Sequence, residues 1–262
     1  MHRPSSTAIS LLPASVEDIA SLIRVHMAAF ADDNPARLMF KNKDEYEMML
    51  LDMIKAQLFD PKVAIIKAVN KHTGNILGWQ ACHFLGKDDD LDSKAAAVEV
   101  EGVNPETKNE EEHVRTLHSV IKKDSVRVQK DWMANRKYIH FGTLVVDPDA
   151  QGHGVATALV RWVTEKADER DMYCWLQSSQ AAHSIYLKAG FKDVGSFEVD
   201  LREFAPGGME GGWGWGMYNF RYMLRLRADA EADNGPSFVF HPQQPPKVAL
   251  GKPPSKLWSL PK

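Results

Sequence analysis

The chain has 262 residues, of which 44% are hydrophobic and 26% charged, a composition typical of a globular protein large enough to bury a substantial core. Its formal net charge of −3 gives no electrostatic basis for binding nucleic acid or an anionic membrane. The sequence has no signal-peptide core and no apolar run that approaches about 18 residues, so we expect a cytoplasmic protein. Its two cysteines, Cys82 and Cys174, lie in strand-like runs, and we expect them to be buried thiols in a reducing compartment.

The first third of the chain predicts a strand, two helices and a hairpin. The segment 7–12 is β-like, and Ser15 is placed to cap a helix that ends before Asp32-Asp33-Asn34-Pro35. A second helix is predicted after Asn42, because Glu45 follows at the spacing of a capping box. The runs 62–69 and 76–85 are predicted strands joined by a turn that contains Gly74.

The composition changes between residues 87 and 136. Two acidic runs, 88–90 and 110–112, precede apolar residues at helical spacing, so we predict a charged loop followed by a helix, inserted between two strands of the sheet. Acidic runs are usually solvated surface, although they could also attract a cationic acceptor or a basic partner. From residue 228 onward the chain is polar and proline-rich. We therefore predict one domain over residues 1–227, with the insertion at 87–136, and an extended tail over residues 228–262.

The central stretch, residues 138–194, contains a strand, a glycine loop and a helix. A β-branched run ends at Asp147-Pro148, and the loop from Gln151 to Ala156 then opens an amphipathic helix. The free N–H groups and positive dipole of such a helix end attract a phosphate. A P-loop would need a Lys after Gly154, and a Rossmann fingerprint would need a third glycine where Thr157 stands, so both motifs fail.

The loop instead fits the pattern Gln/Arg-x-x-Gly-x-Gly/Ala, through Gln151, Gly154 and Ala156. Together with Leu144-Val145-Val146-Asp147-Pro148 upstream and Ala182-x-x-x-Tyr186-x-x-x-Gly190-Phe191 downstream, it resembles the GCN5-related N-acetyltransferase (GNAT) family. The resemblance implies an α/β (α+β) fold: a mixed, mostly antiparallel sheet with helices on both faces and a V-shaped gap between strands four and five, where a bulge in strand four separates the two strands.

The same resemblance implies acetyl-CoA as cofactor. Its pyrophosphate would bind the main chain of the loop, and its pantetheine arm would bind main-chain groups in the gap. The residues so implied are Leu144, Val145, Val146, Gln151, Gly152, His153, Gly154, Val155, Ala156, Thr157 and Ser179. At Ser179 many family members have Asn, so this contact departs from the family pattern.

Acyl transfer to an amine needs a group that accepts the amine's proton and a group that protonates the departing thiolate. Tyr186 matches the family tyrosine that serves as general acid, and its alternative role is a core aromatic. His140, which would share a face with Gly142 and Leu144 if strand alternation holds, resembles the histidine base of the arylalkylamine branch. His140 could instead be a packed histidine without a catalytic role. The base would then be His83 on the preceding strand or a chain of ordered water.

For the acceptor, we expect contacts from Trp213 and Trp215 in the glycine-rich connection before the last strand, and from Phe30 and His83. Alternatively, the two tryptophans could pack against the protein surface and hold that connection in place. No Cys/His cluster has metal-ligand spacing, so no metal is predicted.

The predicted function is acetyl-CoA-dependent acetyl transfer to a primary amine of a small molecule by direct attack on the thioester. The alternative is a non-catalytic acyl-CoA-binding module that acts through a protein partner. The oligomeric state is left open, with a homodimer among the options.

Overall fold

The computed structural model describes residues 8–40, 42–86, 116–208 and 214–227. Seven strands form one sheet in the order β1-β2-β3-β4-β5-β7-β6. Every neighbouring pair is antiparallel except β4 and β5, which are parallel. The strands are β1 (Ile9–Pro13), β2 (Val63–Asn70), β3 (Ile76–Leu85), β4 (Tyr138–Val146), β5 (Tyr173–Ser178), β6 (Lys192–Asp200) and β7 (Met217–Arg225).

The described residues contain six α-helices, and several of them begin after a residue that caps the free N–H groups of the first turn. They are α1 (Ile19–Ala29), α2 (Asn34–Met39), α3 (Lys43–Phe59), α4 (Leu117–Met133), α5 (Val155–Glu169) and α6 (His183–Lys188). Asp33, Asn42 and Thr116 cap α2, α3 and α4 through their side chains. Gly154 precedes α5 in the left-handed conformation, with φ of 83°, which favours glycine.

The helices cover both faces of the sheet. Helices α1 and α3 pack on one face around Trp79, whose indole Nε1 donates to the carbonyl of Leu22 at 2.9 Å. Helix α4 packs beside them over β5, β7 and β6, where Leu117 and Met133 contact the cluster around Trp175 and Tyr222. Helices α5 and α6 cover the opposite face around Val160, Val163 and Phe191.

The sheet opens between β4 and β5. These strands pair at only three positions, of which the last is His140 with Trp175, although β4 continues to Val146 and β5 to Ser178. Directly after His140, the β3–β4 register shifts, because Cys82 pairs with Phe141 and Ala81 pairs with Thr143. Gly142 is therefore an extra residue, a β-bulge, at the point where β4 leaves β5.

The predicted fold class is confirmed, including the inserted helix between β3 and β4 and the bounds of both of these strands. One expectation is wrong: His140 and Leu144 do not share a face. His140 faces the side of α1, α3 and α4, whereas Leu144 packs toward α5, because the bulge at Gly142 breaks the alternation. Cys82 and Cys174 are buried free thiols, as predicted.

Several predictions concern residues outside the described ranges. These are the start of the first strand at Thr7, the two acidic runs, Trp213 and the tail over residues 228–262. The division into one domain and a tail therefore stays a prediction. No helix in the described part of the chain is long and apolar enough to cross a membrane.

Candidate functional site

The loop between β4 and α5 presents a row of main-chain donors. Residues 151–154 are exposed, and Gly152 and Gly154 both have positive φ, of 76° and 83°. Among the described residues, no group accepts a hydrogen bond from the N–H groups of residues 155–157, which form the first turn of α5. A Cβ added at Gly154 would meet no atom within 4 Å, so the loop is open on its outer side. These features fit a phosphate at the positive end of the helix.

Three contacts hold this loop against the sheet. The Gln151 side-chain amide donates to the carbonyl of Val146 at 3.3 Å. Asp147, the residue after β4, forms an ion pair with Arg24 of α1 at 2.7 Å. Below the helix start, a Cβ on Gly78 would lie 2.6 Å from the carbonyl oxygen of Val145 and 3.0 Å from Cγ1 of Val155. The first turn of α5 can therefore approach β3 this closely only because residue 78 is glycine.

The β4 segment that carries Leu144, Val145 and Val146 borders the opening in the sheet. Past His140 it has no β5 partner, so its main-chain groups on that side are available for another ligand. The exposed loop of residues 151–154 follows shortly after the end of this segment. A long ligand anchored by its phosphate at the loop would thus run along β4 into the gap.

On the opposite face of the sheet, a cavity of about 400 Å³ lies over the same gap. Its floor includes His140, Phe141, Gly142, Thr143 and Gln177, which surround the place where the strands separate. One stripe of α3 forms a wall, through Tyr46, Met49, Leu50, Met53 and Gln57. The inserted helix α4 forms the facing wall, through His118, Ile121, Lys122, Ser125, Val126 and Gln129.

Two hydrogen bonds fix α4 in this position. Gln129 donates to the Tyr138 hydroxyl on β4, and the Tyr222 hydroxyl on β7 donates to Asp124, each at 2.8 Å. The insertion is thereby joined to strands on both sides of the gap. Sequence analysis predicted this helix but not its place in the cavity wall, because the bonds to Tyr138 and Tyr222 are tertiary.

His140 and His83 are brought together by the β3–β4 ladder, in which they pair, with ring centroids 5.8 Å apart. Both line the cavity. Burial, and to a smaller extent the nearby His83, lowers the pKa of His140 to about 3. The ring is therefore neutral near pH 7 and able to accept a hydrogen bond, but it binds a proton less readily than an exposed histidine.

Two further histidines line the same cavity. His26 is 6% exposed and shares a hydrogen bond of 2.8 Å between its Nε2 and the hydroxyl of Tyr46, and burial lowers its pKa to about 4. The pKa of His118 on α4 is also lowered, by burial and by Lys122. These lowered pKa values favour uncharged imidazoles at His26 and His118 at neutral pH, as at His140. Neither His26 nor His118 was singled out as a site residue in the sequence, because a histidine on an apolar helix face normally indicates packing.

Tyr186 lies on the other side of the sheet. It is 5% exposed and packs edge-to-face against Phe141 and Phe191, with centroids 6.1 and 5.5 Å away. Burial raises the pKa of its phenol, which keeps the hydroxyl protonated at physiological pH. Tyr186 therefore lies on the face of the sheet that α5 covers, and His140 faces the cavity on the other face.

The other predicted acceptor residues divide into two groups. Phe30 and His83 line the cavity, as does Ser179, which was predicted as a cofactor contact. Trp215 is not among the lining residues; it packs against the core cluster under β6 and β7 and receives the Arg37 guanidinium over its ring at 5.4 Å. In the described ranges, no group of three or more His, Cys, Asp or Glu residues could hold a metal ion.

The comparisons with known proteins agree with this geometry. Residues 115–193, from the inserted helix to the start of β6, match the family model of the acetyltransferase (GNAT) domain. A comparison with curated protein sequences finds no match.

The solved structures that share the fold of the chain include the following three. Arylalkylamine N-acetyltransferase 2 from Aedes aegypti is 16% identical with a TM-score of 0.54, over 83% of this chain and 98% of its own. A mosquito arylalkylamine N-acetyltransferase like 5b is 12% identical with a TM-score of 0.53, over 84% and 100%. A histone acetyltransferase HPA2 and related acetyltransferase from Corynebacterium glutamicum is 18% identical with a TM-score of 0.51, over 84% and 97%. At such identities the likeness shows the fold alone.

Proposed function

We propose that this chain, a member of the GNAT superfamily, transfers the acetyl group of acetyl-CoA to a primary amine of a small molecule. The observation that carries the proposal is the position of the gap between β4 and β5. It lies between an open phosphate-binding loop on one face of the sheet and a cavity on the other. Two ligands that approach from opposite faces would meet at this gap, which is the arrangement that direct transfer requires.

The cofactor side uses main-chain groups. The N–H groups of residues 152–157 would bind the pyrophosphate, and the gap edge of β4 at Val145 and Val146 would bind the pantetheine arm. Acetyl-CoA, when bound, supplies the thioester carbonyl that the amine attacks.

The chain's own groups would then handle two protons. Tyr186, buried and protonated, would donate to the departing thiolate from the cofactor side. On the acceptor side, the neutral His140 would accept the proton of the amine, directly or through water. Since the pKa of His140 is low, it would pass that proton onward to water rather than hold it.

The size of the cavity favours a small acceptor over a protein. About 400 Å³ falls in the range of roughly 300–1,000 Å³ that is usual for small-molecule sites. Helix α4 and the stretch from Phe30 to Phe40 wall it in. An extended peptide would need an open groove across this face.

The test is thiol release from acetyl-CoA over a panel of small primary amines and short peptides with free N-termini. We expect turnover with at least one small amine, and a Tyr186→Phe variant with kcat lowered by about 10²-fold or more but an unchanged Kd for CoA. Tyr173→Phe, which removes a hydroxyl at the far end of β5, is the matched control and should behave as wild type. Tight CoA binding without turnover, and no difference between the two variants, would instead favour the non-catalytic module.

A further inference from the structure

One carboxylate, Asp33, lies in the wall of the cavity without a cationic partner. It is the only Asp or Glu among the described residues that line the cavity. Its Oδ1 caps α2 by accepting from the N–H of Ala36 at 2.9 Å, and its Oδ2 accepts from the hydroxyl of Tyr218 at 3.4 Å. No described Lys, Arg or His forms an ion pair with it. Burial raises the pKa of this carboxyl, so its contacts in the folded chain do not fully replace the hydration that the charged form loses.

The groups around Asp33 are suited to a cation. The Tyr218 hydroxyl lies 3.4 Å from Oδ2 of Asp33, and Tyr46 lines the same cavity. Burial, and to a smaller extent the charge of Asp33, raises the pKa of both phenols. Tyr46 is stacked on Phe40 at 3.9 Å between ring centroids, and both rings line the cavity together with Asp33. Aromatic faces and a carboxylate together form the usual environment of an organic ammonium ion.

A second polar group at this end of the cavity also lacks a partner. His26 bonds Tyr46 through Nε2, but its Nδ1 has no hydrogen-bond partner among the described residues, although the side chain is only 6% exposed. Buried polar atoms are normally satisfied, so this atom lacks a partner that such atoms usually have, and His26 lines the same cavity as Asp33.

We propose that Asp33 is the specificity-determining residue of the acceptor site, which recognises the acceptor as a small organic ammonium ion with an apolar or aromatic body. The proposal rests on the function proposed above and specifies its substrate class. The rest of the cavity fits such a body, since Phe30, Met49, Met53 and Phe220 line it. Neutral alcohols of the same shape, and amines whose body is anionic, would be excluded by the buried carboxylate.

The experiment measures binding rather than turnover, in the presence of saturating CoA. The probes are two matched pairs, 2-phenylethylamine with 2-phenylethanol and hexylamine with 1-hexanol, titrated calorimetrically against wild type, Asp33→Asn and Asp32→Asn. Asparagine caps a helix as well as aspartate, so Asp33→Asn should keep α2 folded. The exposed neighbour Asp32 is the matched control, because its variant changes the net charge equally.

We expect wild type and Asp32→Asn to bind at least one amine about 10- to 100-fold more tightly than its alcohol, as a charge-assisted hydrogen bond provides. Asp33→Asn should lose this preference. A wild type that prefers neither amine, or an Asp33→Asn variant that keeps the preference, overturns the proposal. Because no acetyl transfer is needed for the readout, a protein that acetylates amines without this preference would refute only the role of Asp33.

Discussion

A substitution of Gly78 should disturb both the stability of the fold and the phosphate-binding loop. In Gly78→Ala the new Cβ would lie 2.6 Å from the carbonyl oxygen of Val145 and 3.2 Å from Cα of Val146, both backbone atoms of the paired strand. Neither can rotate away, so β3 must move from β4, and the Val155 side chain at 3.0 Å in the first turn of α5 must shift as well. Overpacking of this kind costs about 1–3 kcal/mol, which for a domain of this size corresponds to about 2–4 °C of Tm per kcal/mol.

The measurement is urea and thermal unfolding of Gly78→Ala beside Gly216→Ala. Gly216 is a suitable control, because a Cβ there meets no atom within 4 Å and its φ is not positive. Since Val155 is 3.0 Å from the added Cβ, we also expect Gly78→Ala to weaken CoA binding. If both variants unfold at the same denaturant concentration and bind CoA equally, the argument that Gly78 positions the helix is refuted.

Three further predictions follow from the local environments of single residues. Gly154→Ala should lower the free energy of unfolding by about 1–2 kcal/mol through its positive φ alone, and weaken CoA binding in equilibrium dialysis; an unchanged affinity would remove the loop from the cofactor site. The pKa of His26 is depressed to about 4, so the folded chain binds fewer protons than the unfolded chain between about pH 6.5 and pH 4, and stability is present above pH 6.5 and lost as the pH falls. Urea unfolding at pH 7 and pH 5 should show that His26→Phe removes about 2 kcal/mol of this pH dependence, whereas an unchanged slope would show that His26 is not buried as described. Burial raises the pKa of Cys82 and Cys174 to about 12, so both thiols should react with a maleimide only after unfolding, and rapid labelling of the native protein would contradict their burial.

The sequence predicted β3 and β4 to the residue, because β-branched runs ended by turn residues are strong local signals. The loop before α5 was equally readable, since positive φ at Gly152 and Gly154 requires the glycines that are present. Both features are set by residues that are close in the chain, and such local features can be predicted from one sequence.

The acceptor side was less predictable because its contacts join distant segments. The resemblance implied a bulge in strand four, but its position at Gly142 is visible only in the pairing with β3. Without that position, the side chain of Leu144 was placed on the wrong face. Asp33 has the sequence context of a helix stop, and its place in the cavity depends on Tyr218, 185 residues away. Trp215 could be a binding residue or a packed one by its type, and its contacts with the core and with Arg37 join segments that are distant in the chain.

The three-residue pairing of β4 with β5 has a mechanical consequence. The sheet is in effect two leaves, β1 to β4 and β5 to β6, hinged at Tyr138–His140. Helix α4 is hydrogen-bonded to both parts of the sheet, to Tyr138 on one and to Tyr222 on the other, and so restrains their relative movement at the hinge. The opening angle of the leaves sets the width of the gap, so loosening either tie would alter the fit on both faces of the sheet at once.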